Sequence, residues 1–83
     1  MGYAAKLAAA HLGPAAPGAT PSWTITRTDG TAAQVRLFPL TAWILDSRAQ
    51  GVHSCREIDL RTEQGFNDFA QFITALESER SAP

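Results

Sequence analysis

The amino-acid sequence predicts an α+β fold: an antiparallel β-meander of three to four strands with one C-terminal helix packed on one face. Three observations support this prediction. An Asp-Gly turn separates two β-rich runs within residues 22–38, further apolar runs follow it, and residues 63–79 carry apolar side chains at spacings of three and four. A short N-terminal helix and a Pro/Gly/Ala arm precede the sheet. The 83 residues suffice for one domain.

The N-terminal segment predicts a short helix followed by an arm. Residues 3–12, YAAKLAAAHL, are strong helix formers, and Gly13 and Pro14 are a typical helix stop. Because so short a helix is marginal alone, it either docks on something or frays. The Pro- and Gly-rich residues that follow predict a flexible arm. The expected organisation is an N-terminal helix and arm at 1–21, a single α+β domain at 22–79 and a frayed tail at 80–83.

The register of the first hairpin follows from its hydrophobic pattern. A two-residue Asp29-Gly30 loop would mix apolar and polar side chains on each face of the sheet. A three-residue loop, with Gly30 in the left-handed region, pairs Arg27 with Thr31 and separates the two kinds of side chain. We therefore expect the three-residue loop. It places Trp23, Ile25, Val35 and Leu37 on one face and Thr24, Thr26, Gln34, Arg36 and Phe38 on the other.

The next run, LTAWILD at residues 40–46, is compatible with two structures. Pro39 cannot donate to a sheet ladder, so the preceding strand ends there or lies at an edge. As a strand, the run would have apolar residues on both faces. As a helix, it would begin at a Thr41 cap and end at Gly51. The Trp-Ile-Leu sequence favours a strand, and the alternative stays open for residues 41–50.

The stretch GVHSCREIDL, residues 51–60, is the one segment that suggests chemistry. A fourth strand there would put His53, Cys55, Glu57 and Asp59 on one face. Four zinc ligands must converge, whereas these side chains lie progressively farther along the strand. A cysteine nucleophile would need an oriented base and an oxyanion site, and neither is evident. We therefore interpret the stretch as scaffold with a small cysteine near the core, and keep a metal or thiol site at His53 and Cys55 as a third hypothesis.

Arg56 complicates the fourth strand. Unbroken alternation would turn its side chain toward the core with Ile58, and an unpaired charge there is costly. A bulge near residues 54–56, or a strand that begins only at Arg56, would avoid that cost.

The clearest helix covers residues 63–79. Thr62 is its expected N-cap, and Gly65 weakens its first turn. The apolar stripe predicts that this helix packs on the sheet through Phe66, Phe69, Ala70, Ile73 and Leu76, with Phe72 at the rim.

Composition excludes several classes of protein. The formal net charge is −1 and charged residues make up 18% of the chain, so the basic surplus of a nucleic-acid binder is absent overall. Six of the seven cations are arginine, which suits interfaces but equally reflects a GC-rich genome. Cys55 is the only cysteine, which excludes an internal disulfide and suits a reducing compartment. No apolar run approaches the roughly 20 residues of a membrane span, so we expect a cytoplasmic protein.

The sheet face that the C-terminal helix leaves uncovered is the candidate binding surface. Aromatic residues with arginine are typical of interface hot spots. The alternative is that the N-terminal arm folds back over Phe38 and Trp43 and completes the core. The candidate partner-binding residues are Thr24, Thr26, Gln34, Arg36, Phe38 and Trp43.

These observations favour a small non-catalytic protein-binding module. With no catalytic set, disulfide framework or targeting signal, we expect an inhibitor or adaptor that docks on a larger bacterial or phage-related protein complex. A phage-encoded antagonist of a host defence system is one example. The alternative is a nucleic-acid-associated regulator. We expect no cofactor and no membrane partner, and a homodimer is compatible with each reading. The arginines available to the alternative are Arg27, Arg36, Arg48 and Arg56.

Overall fold

A four-stranded antiparallel meander forms the centre of the fold. The computed structural model describes residues 2–49 and 54–82. Within these residues the sheet order is β1-β2-β3-β4, which confirms the predicted α+β class. The strand interpretation of the LTAWILD run is also confirmed, and a turn follows it. The elements in chain order are α1 (Tyr3–Leu12), β1 (Ser22–Thr26), β2 (Ala32–Leu37), β3 (Thr41–Asp46), β4 (Cys55–Asp59) and α2 (Glu63–Glu79).

The first hairpin has the predicted register. Trp23 pairs with Val35, and the Arg27 amide donates to the Thr31 carbonyl at 2.7 Å. Gly30 has a φ of 87°, the left-handed region that the three-residue loop requires. The Asp29 carboxylate accepts the Thr31 amide at 2.9 Å and fixes the turn. The alternation of apolar and polar residues therefore sets both the loop length and the pairing.

Both helices cover the same face of the sheet. Phe69, Ile73 and Leu76 of α2 are buried in one cluster with the apolar face of the sheet. Ala8 and Leu12 of α1 belong to the same cluster, so the N-terminal helix docks rather than frays. Two polar contacts fix its position. Trp23 Nε1 donates to the Gly13 carbonyl at 2.8 Å, and His11 Nδ1 lies 2.8 Å from Glu77 Oε1 of α2.

Arg56 is accommodated without a bulge. The pairing of β3 with β4 is regular from Cys55 to Asp59, and Arg56 lies opposite Ile44 on the helix side. Because β4 is an edge strand, the side chain stays exposed, and its guanidinium lies 5.5 Å from the centre of the Phe72 ring. The predicted bulge is therefore wrong from Cys55 to Asp59. The strand begins at Cys55, one residue before the predicted late start, and it is the edge position that spares Arg56 the cost of burial. Cys55 is exposed rather than near the core, which is a second correction.

The C-terminal end of the described chain continues along the sheet. Arg80 forms an isolated antiparallel bridge with Arg27, and the Ser81 amide donates to the Thr26 carbonyl at 2.8 Å. Arg80 Nη1 also donates to the Leu12 carbonyl at 3.0 Å, which ties the tail to α1. Where the sequence predicts fraying from residue 80, these two residues instead protect the edge of β1.

A buried ion pair joins the hairpin to β3. Arg27 is only 2% exposed, and its two terminal nitrogens donate to the Asp46 carboxylate at 2.8 and 2.7 Å. Arg27 Nε lies 3.8 Å from a Glu79 oxygen of α2, and Arg48 also donates to that glutamate. The hydrogen bond from Arg27 lowers the pKa of Asp46, and the bond from Arg48 lowers the pKa of Glu79. This network connects the last turn of α2 to the sheet.

The network predicts a loss of stability in acid. Because folding lowers the pKa of Asp46 from 3.8 and of Glu79 from 4.5, their stabilisation is complete above those values. It is lost as the pH falls through the lowered folded-state values. We expect the thermal midpoint to be nearly constant from neutral pH to about 5 and to fall below about 4. The Arg27→Met/Asp46→Leu variant should show a weaker dependence. A wild-type midpoint that stays constant in strong acid would contradict this assignment.

Gly65 is required by a close approach of α2 to the chain that precedes it. The Thr62 hydroxyl caps the helix as predicted and accepts the Gly65 amide at 3.0 Å. A Cβ at Gly65 would overlap the carbonyl oxygen of Asp59, a backbone atom that has little freedom to move. The glycine that weakens the helix start in the sequence thus permits the turn from β4 into α2.

Replacing Gly65 by alanine is therefore expected to lower the free energy of unfolding by about 1 to 3 kcal/mol, although alanine is the better helix former. Urea unfolding measures the change. The control is Asn67→Ala in the next part of the same helix, at an exposed position, which should be neutral or slightly stabilising. Equal stability of the Gly65 variant and the wild type would show that the close approach imposes no restriction.

Candidate protein-binding face

Within residues 2–49 and 54–82, no helix or strand covers the face of the sheet opposite the two helices. Alternate residues of the four strands point to it, and cross-strand pairing arranges them in rows. We call this surface, together with Phe38 just after β2, the open face. Its central row is Ser22, Arg36, Trp43 and Glu57, its second row is Thr24, Gln34, Leu45 and Cys55, and its outer positions are Thr26, Thr41 and Asp59.

Large apolar side chains are exposed at the middle of the open face. Trp43 is 47% exposed and Leu45 is 50% exposed, although β3 is an inner strand of the sheet. The Phe38 ring contacts Trp43 with the ring centres 5.6 Å apart, and Leu40 in the adjoining turn is also exposed. An apolar cluster at the centre of a sheet face is normally covered, and exposed clusters of this kind mark interaction surfaces.

Opposite charges flank the exposed tryptophan. Arg36 and Glu57 lie on either side of Trp43 in the central row, on β2 and β4. The spacing of neighbouring strands separates them by about 10 Å, so Trp43 stands between them. Both are exposed, and neither side chain makes an ion pair or hydrogen bond with the residues that the structure describes. The open face therefore combines an apolar centre with one unpaired charge of each sign.

An apolar groove adjoins one end of this face. Its volume is about 850 Å³, and its walls come from the first turn of α1, the end of the arm and the turn after β2. Phe38 belongs to both the groove and the open face, whereas Leu60 and Phe66 line its inner wall. The groove extends the apolar surface around the end of the sheet.

The structure assembles the sequence-predicted surface only in part. Arg36, Phe38 and Trp43 lie together, and Thr24 and Gln34 form half of the neighbouring row. Thr26 lies at the far end of β1, away from the aromatic residues. The alternative in which the N-terminal arm covers Phe38 and Trp43 is wrong, because Phe38 stays 37% and Trp43 47% exposed while the arm follows the edge of β1, where the Ala16 amide donates to the Ser22 carbonyl.

Leu45, Cys55 and Glu57 are open-face residues that the predicted site omits. Leu45 could have been found, since it shares the parity of Trp43 on the same strand. The positions of Cys55 and Glu57 depend on the register between β3 and β4, which an ambiguous β3 leaves undetermined.

The four arginines of the nucleic-acid alternative do not form one patch. Arg27 is buried against Asp46, and Arg56 lies on the helix side. Arg48 is paired with Glu79, so Arg36 alone among the four faces outward from the open face. Phosphate binding that depends on several adjacent cations has no support in this arrangement.

The metal or thiol hypothesis involves one residue that the structure describes and one that it does not. His53 lies outside the described residues, and Cys55 is exposed beside Leu45. Within residues 2–49 and 54–82 no group of three or more His, Cys, Asp or Glu side chains could hold a metal ion. In the same part of the chain, no helix is long and apolar enough to cross a membrane.

Comparison with protein-family models, with curated proteins and with solved structures finds no significant match to this chain.

Proposed function

We propose that this protein is a small non-catalytic protein-binding module, an inhibitor or adaptor that docks on a larger protein complex through its open face. The observation that carries the proposal is the exposure of Trp43 and Leu45 on an inner strand. Covering the exposed halves of these two side chains would contribute roughly 1 to 2 kcal/mol each to binding. Arg36 and Glu57 then orient the partner by pairing with its charges.

The partner in this proposal is a bacterial or phage-related complex, such as a host defence system that a phage protein antagonises, and the encounter takes place in the cytoplasm. An exposed single thiol is compatible with a reducing compartment. The near balance of charge favours a protein partner over a polyanion.

The test is capture of partners from a lysate of the source organism by the tagged protein at moderate salt. The wild type is compared with Trp43→Ala/Leu45→Ala and with the control Gln71→Ala/Thr74→Ala, which truncates two exposed side chains of α2 on the other side of the molecule. One protein or complex retained in fixed ratio by the wild type and the control, and lost by the Trp43/Leu45 variant, supports the proposal. Equal retention by all three, or capture of salt-labile nucleic acid alone, contradicts it.

A further inference from the structure

We infer that the open face is self-complementary and that, in the free protein, a second copy of the chain covers it. Two copies pair face to face about a two-fold axis parallel to β3, and partner binding competes with this dimer. The inference rests on the proposed function in one respect, since it takes the open face as the recognition surface.

Charge complementarity in the central row is the first argument. A two-fold axis that runs parallel to β3 and passes over Trp43 brings the two open faces together. It places each position on β2 of one copy opposite the position in the same row on β4 of the other. Arg36 of one copy then faces Glu57 of the other, and the second pair is formed by the same operation. Trp43 faces its own counterpart at the centre. A two-fold axis perpendicular to the strands would instead oppose Arg36 with Arg36.

The remaining surfaces are less suited to self-association. The helix side of the sheet is occupied by α1 and α2. The arm and the tail occupy the edge of β1. The Ala16 amide donates to the Ser22 carbonyl, and the Ser81 amide donates to the Thr26 carbonyl. The edge strand β4 is five residues long and carries several charges, which discourage pairing of edges. Face-to-face packing is therefore the arrangement that buries apolar surface.

The size of the open face predicts a reversible dimer. With the axis over β3, the strands β2, β3 and β4 of the two copies face each other and span about 14 Å by 17 Å, which is small beside the roughly 800 Å² that each partner buries in a standard interface. An interface below the standard size belongs to the weak and transient class, so we expect the dimer to dissociate on dilution. The monomer is thus accessible, and a larger partner that covers the same residues displaces the second copy.

Charge reversal in sedimentation velocity tests the inference directly. The wild type is measured from about 1 µM to about 1 mM, a range that brackets weak interfaces. It should pass from monomer to dimer. Arg36→Glu and Glu57→Arg should each weaken dimerisation at least about tenfold, since like charges then oppose each other. The double variant Arg36→Glu/Glu57→Arg should restore it. The control Lys6→Glu makes the same charge change on α1 as Arg36→Glu makes on the open face, and it should not alter dimerisation.

Three results would overturn the proposed face-to-face dimer. They are a wild type that stays monomeric throughout, a dimer that is insensitive to both single reversals, and a double variant that fails to regain affinity. The last result would show that the charges meet a group other than each other. A monomeric wild type that still captures a partner through Trp43 would remove the dimer alone. A dimer with the expected charge behaviour that captures nothing would remove the proposed function alone.

Discussion

Replacing Asp46 by alanine is expected to lower the free energy of unfolding by about 3 to 5 kcal/mol, which is the usual cost of leaving a buried charge without its partner. Arg27 is 2% exposed, and its guanidinium would lose both hydrogen bonds to Asp46, keeping only a 3.2 Å bond to Thr31 Oγ1 and the Glu79 carboxylate at 3.8 Å. Arg27 Nε already lacks a hydrogen-bond partner among the described residues. A domain this small has a total stability of roughly 5 to 10 kcal/mol, so the variant should be largely destabilised at 37 °C.

Two comparisons separate the loss of a partner from the loss of a contact. The Arg27→Met/Asp46→Leu double variant removes both charges and should regain most of the stability, because a packed apolar pair carries no desolvation cost. Asp59→Ala removes an exposed carboxylate from its ion pair with Arg61 and should cost less than about 1 kcal/mol. Chemical unfolding of the three variants measures these differences. If Asp46→Ala and Asp59→Ala were equally stable, the pair would not be the buried link described above.

Replacing Trp43 and Leu45 together by lysine is expected to lower the free energy of unfolding by only about 1 to 2 kcal/mol, because the aliphatic stems of the lysines still cover part of the sheet. The same change should weaken self-association and partner binding by at least about a hundredfold, because it places two charges at the apolar centre of the open face. About half of each side chain stays in water in the free protein, so this half contributes to binding and not to folding. This separation of stability from binding is the behaviour of a recognition surface and not of a core.

The matched control is Thr74→Lys/Ser78→Lys, which adds the same charge on the exposed side of α2. Both hydroxyls bond only to carbonyls of their own helix, so their loss is minor. Circular dichroism follows stability, and sedimentation with capture follows binding. Unfolding of the Trp43/Leu45 variant would show that these residues serve the fold. Unchanged binding by that variant would show that association uses another surface.

The parts of the fold that the sequence predicted are those with a local signal. The hairpin register followed from alternation around Gly30, and the position of α2 followed from its apolar stripe. The location of α1 could not be predicted in the same way. Its buried residues are mostly alanine, which marks no strong apolar face, and its docking depends on Trp23 and α2.

The buried ion pair of Arg27 and Asp46 has a signal in the sequence, which is the alternation of residues along β1 and β3. Arg27 has the parity of Trp23 and Ile25, and Asp46 has the parity of Ile44. Strict alternation thus places both on the helix side, where each needs a partner of opposite charge. Arg27 is therefore not one of four surface cations, as the nucleic-acid alternative assumes, but a buried one. The sequence shows the same parity for Arg56, but the pairing order that makes β4 an edge strand is a long-range property.

The candidate site was predictable on β1 and β2 and not beyond them. Once the first hairpin is in register, Arg36 and Gln34 must face away from Trp23. The rows that add Leu45, Cys55 and Glu57 require the pairing of β3 with its neighbours. That pairing also creates the alternation of Arg36, Trp43 and Glu57 across three strands, which no segment of the sequence contains.

The central claim is that a protein covers Trp43, and ¹⁹F NMR of the fluorotryptophan-labelled chain tests it most directly. The chain has two tryptophans, one buried on the helix side and one exposed on the open face, and the label leaves an unlabelled partner silent. Trp23→Phe and Trp43→Phe variants assign the two resonances. When the dilute labelled chain binds its captured partner, the account predicts that the Trp43 resonance shifts while the Trp23 resonance does not. A complex that forms with the Trp43 resonance unchanged would contradict it.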